Sequence, residues 1–169
     1  IPTHKRPELV KRAIKSVLNQ TYENIEIIIV NDSPETDLSQ IEEIDDKIQL
    51  TNHEENRGAC EARNTGIKNA KGEYVGLLDD DDEYLSEKLE KQVEQFQELG
   101  GEYGLVYGGV ELVKNEKVIK KKIRSGRKIF SRKRRGQVYN ELLRGNMIPS
   151  PTVLIKKEVF EKAGLFDPE

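Results

Sequence analysis

Two short apolar runs, each breaking off into acid and amide side chains, constrain this chain more than anything else in it. The first is Ile25-Glu26-Ile27-Ile28-Ile29-Val30, β-branched almost throughout and suited to a parallel strand buried on both faces. It stops at Asn31-Asp32-Ser33-Pro34, residues with turn chemistry. The second, Tyr74-Val75-Gly76-Leu77-Leu78, runs straight into Asp79-Asp80-Asp81-Asp82.

Helical signals separate these runs. Pro7 suits the first turn of a helix whose apolar face is Leu9, Val10, Ala13, Ile14, Val17 and Leu18. Residues 38–44 read as a weaker helix and residues 48–51 as a short strand. Residues 58–70 form a small-residue helix closed by Gly72, and Ser86 caps a long charged helix that ends near Leu99 at Gly100-Gly101. Strand and helix in alternation predict an α/β fold: a doubly wound, mostly parallel sheet with flanking helices. Ligands of such sheets bind outside the carboxyl ends of the strands. Both polar clusters fall there.

Beyond Gly104 the pattern changes. Residues 105–113 and 117–123 read as a hairpin around Lys114-Asn115-Glu116, residues 139–144 as a short helix and residues 152–155 as a strand. These form a smaller mixed region appended to the sheet, not a second domain. Charge divides at nearly the same place. Residues 1–111 hold 25 acids against 12 bases, whereas residues 112–169 hold 6 against 16. Ten of those bases lie within residues 120–135. That stretch reads as a solvated loop, or as a docking segment for an anionic membrane leaflet or a phosphate-bearing lipid acceptor. Nucleic acid ranks lowest as its partner, since Phe130 is the stretch's single aromatic for stacking on bases.

The lone Cys60 excludes an internal disulfide and a cysteine zinc site, and suits a reducing compartment. No apolar run approaches the roughly 20 residues of a membrane-spanning helix.

Four adjacent carboxylates repel one another. A hard divalent cation, with phosphate oxygens completing its shell, relieves that repulsion; a solvated acidic turn before a helix is the alternative. Asp32 either accepts a hydrogen bond from a base or ribose or closes an Asx-turn on its own backbone. Arg57 and Arg63 flank the start of the 58–70 helix, where a guanidinium reaches a phosphate or is merely solvated. His4, beside Thr3, offers a ring for stacking on a base. There is no Walker-type loop and no glycine-rich dinucleotide fingerprint, the two histidines lack zinc spacing, and Asn64-Thr65-Gly66 fails the glycosylation sequon.

Taken together, several segments resemble family-two glycosyltransferases. Ile1-Pro2-Thr3-His4-Lys5-Arg6-Pro7, Ser16-Val17-Leu18-Asn19-Gln20-Thr21-Tyr22 and Ile28-Ile29-Val30-Asn31-Asp32-Ser33 are similar to the family's opening. Asn56-Arg57-Gly58, Ala62-Arg63-Asn64-Thr65-Gly66-Ile67, Gly72-Glu73-Tyr74-Val75 and Leu78-Asp79-Asp80-Asp81-Asp82 continue in its order and spacing. Gly164-Leu165-Phe166-Asp167 resembles its later Gly-x-Phe-Asp segment.

The resemblance implies a GT-A-like fold in a single truncated catalytic domain, residues 1–169. Within it, residues 1–111 form the nucleotide-sugar-binding half and residues 112–169 a partial acceptor half. It implies inverting, metal-dependent transfer from a nucleotide-diphospho-sugar, a uridine one, to a saccharide or lipid-linked acceptor of the cell envelope. The site of action would be cytoplasmic, peripheral at the inner membrane face. By position, Pro2, Thr3 and His4 would line the donor site and Asp32 would read the base. Arg63 and Arg57 would support the donor, Asp79 and Asp80 would lie near the ribose, and Asp81 would hold magnesium or manganese. Where the family has Tyr-Asn after Pro-Thr, this chain has His4-Lys5, so an imidazole replaces a phenol. The family's general base lies beyond Gly-x-Phe-Asp, and no residue up to Glu169 is assigned that role. A non-catalytic nucleotide-sugar-binding module is the alternative. An aspartate-nucleophile phosphotransfer domain is a weaker one, because it leaves residues 56–67 unexplained.

Overall fold

The computed structural model describes residues 1–114, 117–122, 139–146 and 148–168. In the first sheet, β1 (Pro2–Thr3), β2 (Ile27–Asn31) and β3 (Ile48–Asn52) lie in that order and all run parallel. Every residue of β2 is buried. Its alternating side chains feed two separate cores. Ile27 and Ile29 pack with Val10, Ala13, Ile14 and Val17 of α1 (Pro7–Leu18) and with Leu89, Val93 and Phe96 of the later helix α3 (Lys88–Leu99). On the opposite face, Ile28 and Val30 meet Ala62 of α2 (Gly58–Asn69). Helices thus cover both faces, which is the doubly wound arrangement and the reason β2 has no polar face.

A second sheet is antiparallel, with β8 (Val153–Lys156) between β4 (Tyr74–Gly76) and β5 (Leu105–Tyr107). β6 (Val110–Lys114) and β7 (Lys117–Lys122) form a hairpin with an irregularity between Leu112 and Val113. Two short helices, α4 (Tyr139–Leu142) and α5 (Lys157–Ala163), complete the elements. Among the described residues no helix is long and apolar enough to cross a membrane.

Several local expectations are corrected. The 74–78 run leaves its ladder after Gly76, and its partner is the antiparallel β8. A Cβ at Gly76 would stand 3.0 Å from the Tyr84 hydroxyl, which itself donates to the Leu77 carbonyl at 2.7 Å. Tyr84 therefore takes the hydrogen bond a longer strand would have used. Residues 38–44 form only a 3-10 turn (Ser39–Ile41), because burying Leu38 and Ile41 in the core requires one turn and no more. Ser86 does not cap α3, which starts at Lys88 without a side-chain cap; the Ser86 carbonyl instead accepts the Thr21 N–H at 2.9 Å. Residues 105–107 pair with β8, so the hairpin is shorter than the sequence suggests. Of the basic stretch, residues 123–135 lie outside the described residues.

Candidate functional site

β1 and β2 end side by side, and the loops beyond them face the start of α2 and the acid run. Together they enclose a cleft of about 270 Å³ whose walls carry Pro2, Thr3, His4, Asp32 and Arg63 with Asp79, Asp80 and Asp81. A larger space of about 500 Å³ lies between the two sheets, walled by side chains such as Ile27, Val75, Leu78 and Leu154. Glu26, Arg63, Lys71 and Glu73 also line it, but Asp32 and the acid run do not.

The turn after β2 decides what Asp32 can do. Asn31, not Asp32, makes the Asx-turn: its Oδ1 accepts the Ser33 N–H at 3.2 Å, while its Nδ2 donates to Asn52 Oδ1 at 2.9 Å. Asp32 is left to reach across to α2. Its Oδ1 accepts the Arg57 N–H at 2.8 Å and the His53 Nδ1–H at 2.7 Å, and its Oδ2 accepts the Gly58 N–H at 2.8 Å. A helix begins with orphan amides and a partial positive charge. Asp32 supplies the cap that the N-cap residue Arg57 does not, with Asn56 Oδ1 as a second acceptor of the Gly58 N–H at 3.1 Å. Gly58 makes this possible with φ of 83°, a left-handed conformation that costs glycine nothing. Burial pushes the Asp32 carboxyl up, but the Arg57 amide, His53 and the Gly58 amide outweigh it and hold the group below its ordinary value.

The acid run is less uniform than its sequence. Asp80 is buried: Oδ2 accepts the Thr3 hydroxyl at 2.8 Å and Oδ1 accepts Arg6 at 3.0 Å. Asp79 Oδ1 pairs with Arg63 at 2.5 Å. The Arg63 Nε is buried with no hydrogen-bond partner among the described residues. Asp81 points outward, its side chain 57% exposed, and among the described residues pairs only with the same Arg6 nitrogen, at 3.3 Å. Asp82 is pushed upward by burial and then by repulsion from Asp81 and Asp79. Among the described residues no three acid, histidine or cysteine side chains converge as a metal-ligand set. Magnesium and manganese do not require one, since they are commonly held by one or two carboxylates plus substrate phosphates. The exposed Asp81 fits that pattern.

Of the residues singled out from sequence, the cleft gathers Pro2, Thr3, His4, Asp32, Arg63, Asp79, Asp80 and Asp81. His4 holds its ring by donating Nδ1–H to the Asp32 carbonyl at 2.9 Å. The Arg57 side chain is not brought in: it pairs with Glu61 at 3.5 Å, and only its backbone amide serves the site. Three contributors were not singled out. Arg6 follows Lys5, the single non-glycine residue with positive φ among those described (57°), so a strained turn presents it to the acid run. His53 sits one residue past β3, as Asp32 sits one past β2, and the Asn31↔Asn52 register sets them side by side. Asn64 ties α2 to the late Gly-x-Phe-Asp segment, exchanging two hydrogen bonds of 2.8 and 2.9 Å with the Phe166 backbone.

The family model described as glycosyl transferase family 2 matches residues 1–164. A Rickettsia felis protein described as an uncharacterized glycosyltransferase is 36% identical over 171 residues, covering 99% of this chain and 28% of its own length. An Escherichia coli protein, UDP-Glc:alpha-D-GlcNAc-diphosphoundecaprenol beta-1,3-glucosyltransferase WfgD, is 31% identical over 159 residues, covering 93% of this chain and 58% of its own. The chain thus spans less than two thirds of either relative. Among solved structures, the mannosyltransferase PcManGT from Pyrobaculum calidifontis, in complex with GDP-Man and Mn2+, matches with a TM-score of 0.70 at 19% identity. That match covers 99% of this chain and 46% of the other, and is a likeness of fold.

Proposed function

The chain belongs to glycosyl transferase family 2, and from that membership we propose that the cleft binds a uridine diphospho-sugar with a divalent cation and transfers the sugar, with inversion, to a saccharide or lipid-linked acceptor. The observation that carries this reading is the meeting of Asp32, Arg63 and the acid run in one cleft at strand carboxyl ends. The name of the Escherichia coli relative, which combines a UDP-sugar with a diphospholipid acceptor, supports both halves of the donor–acceptor pair. The Mn2+ held by the Pyrobaculum structure supports the cation.

In this reading Asp32 accepts from the base, with Pro2, Thr3 and His4 beside it. Asp79 and Asp80 face the ribose, and Arg63, with its spare Nε–H, turns toward the diphosphate. Arg57 contributes its amide to Asp32 and lends its charge from the rim. The acceptor hydroxyl attacks the anomeric carbon as the bond to the nucleotide's phosphate breaks, so negative charge grows on the departing diphosphate. Magnesium or manganese beside Asp81 supplies the electrostatic stabilisation that this leaving group needs. The acceptor hydroxyl must also lose its proton to a base, and no residue described here is given that part. Work on a lipid-linked acceptor would put the protein at the cytoplasmic face of the membrane, with the basic stretch of residues 120–135 toward the anionic leaflet.

Calorimetry with uridine diphosphate tests the reading. Manganese should tighten binding, and Asp81→Ala should abolish that gain while leaving the metal-free affinity close to the parent's. An unchanged manganese effect in Asp81→Ala sinks the assignment.

A further inference from the structure

We propose that His53 is the positioning residue for Asp32 and thereby decides which bases the cleft accepts; this rests on reading the cleft as a nucleotide site. The argument is a count of lone pairs. An ionised carboxylate offers about four acceptor positions over its two oxygens. On Asp32, Oδ1 is filled by the His53 Nδ1–H at 2.7 Å and the Arg57 N–H at 2.8 Å. Oδ2 holds only the Gly58 N–H at 2.8 Å. One acceptor position is left, on a residue that forms part of the cleft wall.

His53 is well built for this purpose. Its side chain and that of Asp32 are each 5% exposed. The far ring nitrogen, Nε2, lies 2.9 Å from the Thr65 hydroxyl on α2, so the imidazole is gripped at both ends. A carboxylate can only accept, which requires the proton on Nδ1. With the two amides fixing the carboxylate and His53 filling the second position on Oδ1, Asp32 presents one free acceptor position and not two.

A single fixed acceptor selects a base with a ring N–H at that edge. Uracil offers N3–H. Cytosine has an unprotonated N3 in the same place, whose lone pair would face the carboxylate. Removing His53 frees a second acceptor position on Oδ1, to which the cytosine 4-amino group can donate while the Arg57 and Gly58 amides keep the carboxylate in place, and this relaxes the selection without touching the phosphate side of the cleft.

The test is calorimetry, in manganese, of uridine diphosphate, cytidine diphosphate and inorganic pyrophosphate against the parent chain and three variants. The parent should prefer uridine over cytidine diphosphate by about tenfold or more, the worth of one hydrogen bond to a charged group. His53→Leu should lose that preference while binding pyrophosphate as the parent does. His53→Asn puts an amide N–H where Nδ1–H was and should restore it. His53→Gln reaches the Nε2 position instead and should not. If His53→Leu keeps the uridine preference, or Gln rescues as well as Asn, the proposal is overturned while the donor-site reading stands. Binding of pyrophosphate with no base preference in the parent overturns it equally. If the parent binds none of the three ligands, the donor-site reading falls and takes the proposal with it. Should His53→Leu not fold, nitrogen-15 spectroscopy of the parent decides: Nδ1 must carry the proton and respond to uridine diphosphate but not to pyrophosphate. An unprotonated Nδ1 overturns the proposal.

Discussion

The two sides of the cleft are built on opposite principles. On the side proposed for the base, Asp32 is a buried carboxylate held by two backbone amides and an imidazole that is itself held by Thr65. On the side proposed for the diphosphate, Asp81 is a mostly exposed carboxylate whose one partner among the described residues, Arg6, is shared with Asp80. One acid is completed by the protein and the other is left to be completed from outside. A group satisfied internally contributes to folding and arrives in a fixed orientation. A group left exposed contributes little to folding and stays available to a ligand.

The largest expected effect follows from removing the completed acid. Asp32→Ala leaves the Arg57 amide and the buried His53 ring without their acceptor, and leaves the Gly58 amide with Asn56 Oδ1 alone, at 3.1 Å. It should cost about 2–4 kcal/mol. In a chain of this size that lowers the melting temperature by roughly 5–15 °C. Asp81→Ala should stay within about 0.5 kcal/mol of the parent, since exposed pairs contribute little. Paired thermal melts check both, and equal losses would erase the distinction between the two sides.

Acid should separate the sides next. The folded-state pKa of Asp32 lies below its unfolded value, because the Arg57 and Gly58 amides and His53 outweigh desolvation. Its contribution is therefore complete above the ordinary carboxylate range and is lost as pH falls through the lowered value. The stability gap between the parent and Asp32→Asn should close in acid. Asp82 has the opposite sign: burial, then Asp81 and Asp79, raise it. Its charged form opposes folding, so Asp82→Asn should be more stable than the parent at neutral pH and equal to it below the ordinary carboxylate range. Urea titrations across acid and neutral pH measure both gaps. Matching signs would mean that the acid run is as well compensated as Asp32.

The same contrast explains what could be read from the sequence. β2 was legible because a strand covered on both faces has to be apolar throughout, and Ile27 to Val30 supply nothing else. α1 was legible from its spacing, α2 from its small residues and the closing Gly72, and Asp79 to Asp82 from sheer charge density at a strand end. The partnerships were not. His53 meets Asp32 only because β2 and β3 pair with Asn31 opposite Asn52, and a register is a tertiary fact. Arg6 reaches the acid run through a left-handed Lys5, a conformation that a lysine does not announce. Arg57 reads from the sequence as a phosphate contact or a solvated charge, and its pairing with Glu61 one turn along α2, at 3.5 Å, is a detail the sequence does not decide. The early end of β4 depended on Tyr84 folding back over Gly76, eight residues away in the chain.

The smallest effect sharpens the comparison most. Arg6 places one guanidinium nitrogen 3.0 Å from Asp80 and 3.3 Å from Asp81, with half of its side chain exposed. It stands as a resident positive charge at the place where the proposed cation would bind. Removing it should therefore do two opposed things. Arg6→Gln should lower stability by no more than about 1 kcal/mol, the worth of a partly exposed pair. It should also strengthen manganese binding in the absence of nucleotide by about threefold to fivefold, the repulsion of one nearby charge through a largely aqueous path. That gain should shrink as salt is added. Manganese titration followed by paramagnetic resonance reads the change directly. If Arg6→Gln weakens manganese instead, Arg6 orients the carboxylates as His53 orients Asp32, and the diphosphate side is as finished as the base side.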